Sequence, residues 1–214
     1  YKVDEAFTGT VKVRVTDVAG HVTVKSMKIY IDKTAPLVVI SKSNEEDYST
    51  ENVNVFVTVT ENAEYSDVVS VTYTVNGGAA KDLALTGGTI SITEEGTSVI
   101  KVVAKTKAGV EAPATTTVLI DKTAPTFDLD VVDSVGSVKD RSTNEDVTIK
   151  ALNVADAVSG VAKVEYAVIP EGSSEENYAE MTKGTDEYTA DYKVDEAFTG
   201  TVKVRVTDVA GIET

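Results

Sequence analysis

The chain has 214 residues and no cysteine, and its 35 acidic against 20 basic residues give a formal net charge of −15. So acidic a composition opposes binding to nucleic acid or to an anionic membrane surface, and cations are the more natural partners. No apolar run approaches the roughly 20 residues of a membrane-spanning helix, so we expect no membrane insertion of this segment.

The first 20 residues of the chain recur without a change as residues 192–211. Chance does not produce an identical repeat of this length, so the chain contains a tandem duplication, and that repeat decides the architecture. The alternating pattern of Val22–Ile31 predicts a strand after the first copy. Because the chain begins at Tyr1, within what reads as the middle of a module, we expect it to be part of a longer mature protein.

The hexapeptide Ile-Asp-Lys-Thr-Ala-Pro follows at residues 31–36 and returns at residues 120–125. Proline fixes its own φ and pushes the preceding residue to an extended conformation, so we interpret each copy as a short, stiff joint between domains. The spacing of 89 positions suits a module of Ig-like size. Three segments are therefore predicted: the C-terminal part of a module (1–32), a complete module (33–121) and a module without its last strand (122–214).

Between the joints, valine and threonine dominate runs of alternating character, which are typical of half-buried strands, and no segment has a helical period. Turn residues such as Asn76-Gly77-Gly78 and Gly87-Gly88 separate the runs. Seven strands are predicted here: Leu37–Ser41, Val53–Thr60, Ser70–Val75, Lys81–Leu85, Thr89–Thr93, Ser98–Lys105 and Ala114–Ile120.

The last module repeats this layout, and its missing seventh strand is the one seen in the leading fragment as Val22–Ile31. An acidic insertion at residues 170–177 is predicted to form a surface loop. Six strands are predicted: Thr126–Val132, Val147–Asn153, Val161–Ile169, Tyr178–Met181, Glu187–Val194 and Thr201–Thr207.

Three short motifs together resemble those of bacterial Ig-like repeats of large cell-surface proteins. They are Asp-Lys-Thr-Ala-Pro at the joints, Val-Ser-Gly-Val at residues 158–161, and Thr-Asp-Val-Ala-Gly at residues 16–20 and 207–211. The resemblance implies an all-β fold of tandem Ig-like β-sandwich domains, about seven strands each, arranged end to end. It also implies an extracellular or cell-surface location and a use as spacers in adhesins, S-layer proteins and extracellular enzymes. The complete module (33–121) departs from the pattern, because it has Thr106 where the motif has aspartate.

In an Ig-like sandwich, the chain enters at the pole where two inter-strand loops also lie. This geometry would bring Asp121 of the second joint near Asp156 and Asp208. Three carboxylates with nearby carbonyls could bind Ca²⁺, which takes 6 to 8 oxygen ligands. Alternatively, these aspartates only cap turns, because aspartate bonds readily to nearby backbone amides.

The same geometry gathers Asp32 and Asp67 at the first joint, together with Glu61 and Glu64. Thr106 replaces the third aspartate there, and lysines flank it at positions 105 and 107. We therefore expect a weaker ion site, if any, at that joint.

An enzyme is not expected. His21 is the only histidine, and the second copy has Ile212 in its place, so we interpret it as an exposed hairpin residue. With no cysteine and no usable histidine base, the usual nucleophilic triads are excluded.

Three functions remain open. The first is a structural spacer of a surface protein, whose partners are neighbouring repeats. The second is a subunit that self-assembles into a filament or surface layer, because an incomplete last module exposes a strand edge. The third is a module that binds carbohydrate or a host protein, through loops at one pole of the sandwich or through a patch of Tyr178, Tyr188 and Tyr192. Cross-strand packing is the alternative role for these tyrosines.

Overall fold

A computed structural model describes residues 2–44, 47–61, 66–139, 141–193 and 199–214. All regular elements in these ranges are β-strands that pair antiparallel, which confirms the all-β fold class. No helix that could cross a membrane occurs among these residues. Contacts divide the chain into unit 1 (Tyr1–Glu45, Asn52–Thr93, Thr97–Val118) and unit 2 (Glu46–Glu51, Glu94–Gly96, Leu119–Thr214). The predicted module boundaries at residues 33 and 122 are not tested by this division and stay predictions.

Unit 1 holds a two-stranded sheet, β1-β2, and two larger sheets of order β3-β4-β7 and β6-β5-β8-β9. A three-stranded and a four-stranded sheet are the layers expected of an Ig-like sandwich. The strands are β1 (Phe7–Thr16), β2 (Val22–Ile31), β3 (Leu37–Lys42), β4 (Val53–Thr60), β5 (Val68–Val75), β6 (Lys81–Leu83), β7 (Gly87–Ile92), β8 (Gly96–Thr106) and β9 (Glu111–Ile120). The first residue of β8 and the last two residues of β9 count with unit 2.

The core of unit 1 is formed by buried side chains that alternate with exposed ones along its strands. In β4 the four valines are buried and the residues between them are exposed. On β8, Ile100, Val102 and Ala104 are fully buried. Because successive side chains of a strand point to opposite faces, this pattern gives each sheet one apolar face to bury.

Gly87 corrects one detail of the prediction. Gly87-Gly88 was expected to break the chain between strands, but β7 begins at Gly87. Its φ is +101°, and a Cβ there would lie 2.1 Å from the carbonyl oxygen of Val57 on β4. Only glycine permits this close approach. The N–H of Gly87 also closes a turn by donating to the carbonyl of Ala84 at 2.8 Å, so the break between strands falls at residues 85–86.

Unit 2 has two sheets of order β10-β11-β15-β14 and β13-β12-β16. Its core consists of Ile149, Ala151, Val164, Met181 and Val206, with partly buried side chains around them. The strands are β10 (Thr126–Val132), β11 (Val147–Ala155), β12 (Val161–Pro170), β13 (Ala179–Glu180), β14 (Thr182–Lys183), β15 (Glu187–Tyr192) and β16 (Gly200–Asp208). Residues 171–177 are exposed and irregular, as predicted for the acidic insertion.

The duplicated sequence occupies two different environments. In unit 2 it forms β16, which pairs with β12, and Val206 is completely buried. In unit 1 it forms β1, which pairs with β2, and the equivalent Val15 is 62% exposed. The same strand therefore contributes to a packed core in one place and presents its apolar side chains to solvent in the other.

This difference gives a matched pair of substitutions. Val206→Ala removes buried methyl groups and leaves a cavity, so we expect the free energy of unfolding of unit 2 to fall by about 2 kcal/mol. Val15→Ala, the identical change in the identical local sequence, should alter stability by less than about 0.5 kcal/mol. Urea unfolding curves measure both; equal effects would contradict the two environments.

Candidate metal centre

Three aspartates of unit 2 converge at one end of its sandwich. Asp121 follows β9, Asp156 lies in the loop between β11 and β12, and Asp208 ends β16. One carboxylate oxygen from each lies within 4.8 Å of the other two. Asp121 and Asp208 are buried, with 0% and 2% of their surface exposed. Residues distant in sequence thus form one acidic cluster, which we call the aspartate cluster.

Asp121 is fixed by both of its carboxylate oxygens. Its Oδ1 accepts a hydrogen bond from the backbone N–H of Thr123 at 3.1 Å, and its Oδ2 accepts one from the N–H of Ser159 at 3.0 Å. The backbone N–H of Asp121 itself donates to the carbonyl of Ser49 at 2.9 Å. The first bond caps the turn of the joint, and the second ties the joint to the loop that carries Asp156.

Asp156 organises its own loop through one oxygen only. Oδ1 accepts hydrogen bonds from the N–H groups of Val158 (3.1 Å) and Gly160 (2.6 Å). Gly160 has a φ of +85°, which closes the turn at little cost in glycine. The other oxygen, Oδ2, is buried and has no hydrogen-bond partner.

Asp208 repeats this arrangement at the end of β16. Its Oδ1 accepts a hydrogen bond from the N–H of Ile212 at 2.8 Å, while its buried Oδ2 has no partner. The next residue, Val209, donates its N–H to the carbonyl of Gly160 at 2.9 Å. The backbone therefore holds the loops of Asp156 and Asp208 together.

The two predicted roles of these aspartates, turn capping and ion binding, involve different oxygens of Asp156 and Asp208. One oxygen of each aspartate caps a turn, as the simpler interpretation expected. Asp156 and Asp208 each keep a second, buried oxygen without a donor. A buried polar atom without a partner is rare in native proteins and needs an explanation, such as a bound ion.

The charges of the three carboxylates also favour a bound cation. None of the salt bridges among the described residues joins these three carboxylates to lysine or arginine. Two unit charges 4.8 Å apart repel each other by about 3.5 kcal/mol at an effective dielectric constant of about 20. Carboxylate and carbonyl oxygens without nitrogen or sulfur suit a hard cation such as Ca²⁺.

The weaker site predicted at the first joint is not assembled among the described residues. Asp32 Oδ1 caps the N–H of Thr34 at 2.9 Å, and Glu61 Oε2 accepts the N–H of Val68 at 2.8 Å. Asp67 joins no group of three acidic side chains at metal-binding distance in this part of the chain. Glu64 lies outside the described residues.

Thr106 shows what replaces the third aspartate at that joint. Its Oγ1 accepts the N–H of Val110 at 3.2 Å, as Asp208 Oδ1 accepts the N–H of Ile212. The flanking backbone bonds also match, because Gly109 donates to the carbonyl of Thr106 and Gly211 to that of Asp208. Threonine thus preserves the turn but contributes no charge.

Asp17 is the equivalent of Asp208 in the leading copy of the repeat. Its Oδ1 accepts the N–H of His21 at 2.8 Å, and its Oδ2 lies 2.9 Å from the His21 ring nitrogen Nδ1. The side-chain bond from His21 is the main reason that the pKa of Asp17 is lowered. Ile212 stands in place of His21 in the second copy and has no side-chain donor. Oδ2 of Asp208 therefore lacks the partner that Oδ2 of Asp17 has.

The three tyrosines lie in two kinds of surroundings. Tyr188 and Tyr192 pack against the core of unit 2, between the sheets. Tyr178 instead stacks over the guanidinium of Arg205, whose carbon lies 4.1 Å from the ring centroid. The packing role predicted as the alternative therefore fits Tyr188 and Tyr192. The cross-strand neighbours of Tyr188 are Ala151 and Lys183, and Tyr192 lies opposite Val147.

Asp133 is an organising residue that sequence analysis missed. Its side chain is 2% exposed and accepts hydrogen bonds from Arg141 Nη2 (2.5 Å) and Thr143 Oγ1 (2.6 Å). The backbone N–H groups of Val135 and Gly136 also donate to it. These donors, the arginine foremost, hold the pKa of Asp133 well below its usual range. No spacing rule singles out an arginine eight residues away, which is why the loop was not recognised.

Neither a protein-family model nor a curated protein matches the sequence. Among solved structures, fibronectin(III)-like modules of Clostridium thermocellum CbhA match with 18% identity and a TM-score of 0.35, over 83% of this chain and 89% of theirs. A tetra-tandem repeat from the extending region of a large adhesion protein matches with 21% identity and a TM-score of 0.37. That match covers 98% of this chain, which spans 55% of the length of the repeat protein.

Asp133 predicts a pH-dependent loop. Because its folded pKa is lowered, its contribution to stability is present above the unfolded pKa of about 3.9 and is lost as the pH falls through the folded value. Asp133→Asn should therefore expose residues 133–145 to proteolysis at neutral pH, while wild type becomes sensitive only in acid. Asp186→Asn, at an exposed aspartate of the same unit, is the control. Equal cleavage of the two variants at pH 7 would contradict the anchoring role.

Proposed function

We propose that the chain is a spacer segment of a large extracellular bacterial surface protein, made of tandem β-sandwich modules. The observation that carries this proposal is the identical repeat of residues 1–20 at residues 192–211. A repeated module adds length rather than new chemistry. The sandwich sheets and the lack of a nucleophile–base pair in the sequence support a structural role over an enzymatic one.

The spacer function follows from three properties of the chain. The strands of each sandwich form their hydrogen-bonded pairs within its own sheets. Proline limits the conformations of each joint at Pro36 and Pro125. The net charge of −15 makes modules repel one another and discourages collapse.

We further propose that the aspartate cluster binds Ca²⁺ and stabilises the second joint. Asp121, Asp156 and Asp208 would hold the ion, and backbone carbonyls and water would complete its oxygen shell. The two buried, unpartnered oxygens of Asp156 and Asp208 support this proposal. Asp32 and Asp67 of the first joint lack that support.

Calcium should raise the melting temperature of the metal-free protein. At a free concentration about 100 times the Kd, binding to the folded state alone adds about 2.7 kcal/mol, or roughly 10 to 20 °C for a domain of this size. Asp208→Asn keeps a side-chain oxygen to cap Ile212 but removes the charge, so the shift should disappear. Differential scanning calorimetry with and without chelator makes the measurement.

Asp17→Asn is the matched control, because it makes the same change in the same five-residue motif of the leading copy. It should leave the calcium-dependent shift intact. A shift that survives in Asp208→Asn, or that is absent from the wild type, would remove the aspartate cluster as the calcium site.

The spacer proposal itself predicts an extended chain in solution. A single compact globule of 214 residues would have a radius of gyration of about 17 Å. Small-angle X-ray scattering should give a clearly larger value with a distance distribution of two separate bodies. A radius near that of one globule would count against a spacer, whatever the outcome of the calcium experiment.

A further inference from the structure

Strand β7 of unit 1 has an open edge, and it lies well inside the sequence, between the two joints. In the order β3-β4-β7, it pairs with β4 on one side, and no strand among the described residues pairs with residues 88–92 on the other side. Its sequence, Gly-Gly-Thr-Ile-Ser-Ile, contains no charged residue and no proline. Proteins usually protect an edge with charges, proline or a bulge, because its unpaired backbone groups recruit other strands.

The register with β4 shows which backbone groups of β7 face the open side. Val59 donates its N–H to the carbonyl of Thr86 at 3.0 Å, which fixes the phase of the ladder between β4 and β7. Bonded and non-bonded pairs alternate in an antiparallel ladder, so the N–H and C=O groups of Thr89 and Ser91 point away from β4. Both residues are exposed. The edge therefore offers their donors and acceptors to another strand.

The exposed residues of β3, β4 and β7 include no charged side chain. Leu37, Val39 and Phe56 are 61%, 50% and 42% exposed, and the other exposed residues are glycine or carry hydroxyl or amide groups. Two copies of a chain with a net charge of −15 repel each other over most of their surface. At this sheet and its β7 edge, they can approach without bringing acidic side chains into contact.

Unit 2 protects the corresponding edge. Its strand β15 pairs with β11 as β7 pairs with β4, but β14 pairs with the other side of β15. The outer face of that sheet is also charged. Lys150 Nζ lies 3.0 Å from Glu187 Oε2, and Asp191 accepts a hydrogen bond from Thr148. The same edge is therefore covered and charged in one sandwich of the chain, and open and neutral in the other.

We propose that two copies of this chain associate through β7, edge to edge. The two strands run antiparallel across a two-fold axis, with Ile90 opposite Ile90 of the second copy. Thr89 then lies opposite Ser91 of the second copy, and each such pair exchanges N–H···O=C bonds in both directions. The two three-stranded sheets become one continuous sheet. Addition of a strand to an exposed sheet edge is a common mode of recognition.

This register suits a second copy of the same strand. It uses the outward backbone groups of both Thr89 and Ser91. It also leaves Glu94 and Glu95, which follow β7, at opposite ends of the joined edge. Bonds to water are exchanged for bonds between strands, so the net gain from each bond is modest and the dimer is weak and concentration-dependent. The contact uses the same surface on both copies, so it closes at the dimer.

The inference does not rest on the spacer function. An extended, calcium-binding chain that stays monomeric would satisfy the spacer proposal and refute the edge pairing.

Lysines on β7 test the pairing. Thr89→Lys together with Ser91→Lys places lysines opposite each other across the two-fold axis, and like charges at facing positions are destabilising. The rise of sedimentation mass with concentration should therefore disappear.

Thr58→Lys together with Thr60→Lys is the matched control. It makes the same change of charge at exposed positions of β4, one strand away from the edge, and should leave association as in the wild type. Circular dichroism should show that both variants are folded.

Introduced cysteines report the register, because the chain has none of its own. Facing positions of an antiparallel pair are within reach of a disulfide. A mixture of Thr89→Cys chains with Ser91→Cys chains should form a disulfide-linked dimer faster than either variant alone. In the proposed register, neither position faces its own copy, so the single variants are the controls.

Three results would overturn the edge pairing. One is a wild-type chain that keeps the mass of a monomer at every concentration. Another is association that the lysines on β7 leave unchanged, or that the control lysines on β4 abolish to the same extent. The third is a disulfide that forms no faster in the mixture than in the single variants. Growth past the dimer would also contradict a contact that closes on itself.

Discussion

The structure depends on one constraint: a sheet with valine at every second position has an apolar face that must be covered. In β4 and β8 this alternation is strict, and the buried side of each strand belongs to the core of unit 1. In unit 2 the same rule places Ile149, Val164 and Val206 between two sheets. Where no second sheet is present, as at β1 and β2, the same valines face solvent.

The aspartate cluster is a consequence of how these sandwiches begin and end. The chain enters unit 2 through the joint at Asp121, while the loops that carry Asp156 and Asp208 lie at the same end. Backbone hydrogen bonds between these loops hold the carboxylates together despite their repulsion. The cluster is therefore imposed by the fold, and a cation would relieve a strain that the fold creates.

Much of this could be predicted from sequence, because period-two patterns report burial directly. The bounds of β2, β4 and β10 agree with those predicted. The proximity of the three aspartates could be predicted because the end of a β-sandwich at which the chain enters also carries loops between its strands. The start of β7 at Gly87 could not be predicted, because no local pattern reveals the close approach of Gly87 to the carbonyl of a strand 30 positions earlier. The role of Asp133 could not be predicted for a similar reason, because the path of the loop brings Arg141 and Thr143 to it.

The difference between His21 and Ile212 has an evolutionary consequence. After duplication, one copy kept a turn whose carboxylate is satisfied by its own neighbour, and the other kept a turn with an oxygen to spare. Neither residue is a candidate ligand, but His21 contacts the second carboxylate oxygen of Asp17, whereas the second oxygen of Asp208 has no hydrogen-bond partner. At the proposed calcium site, a substitution beside the aspartates could therefore change the affinity for an ion while every acidic residue is preserved.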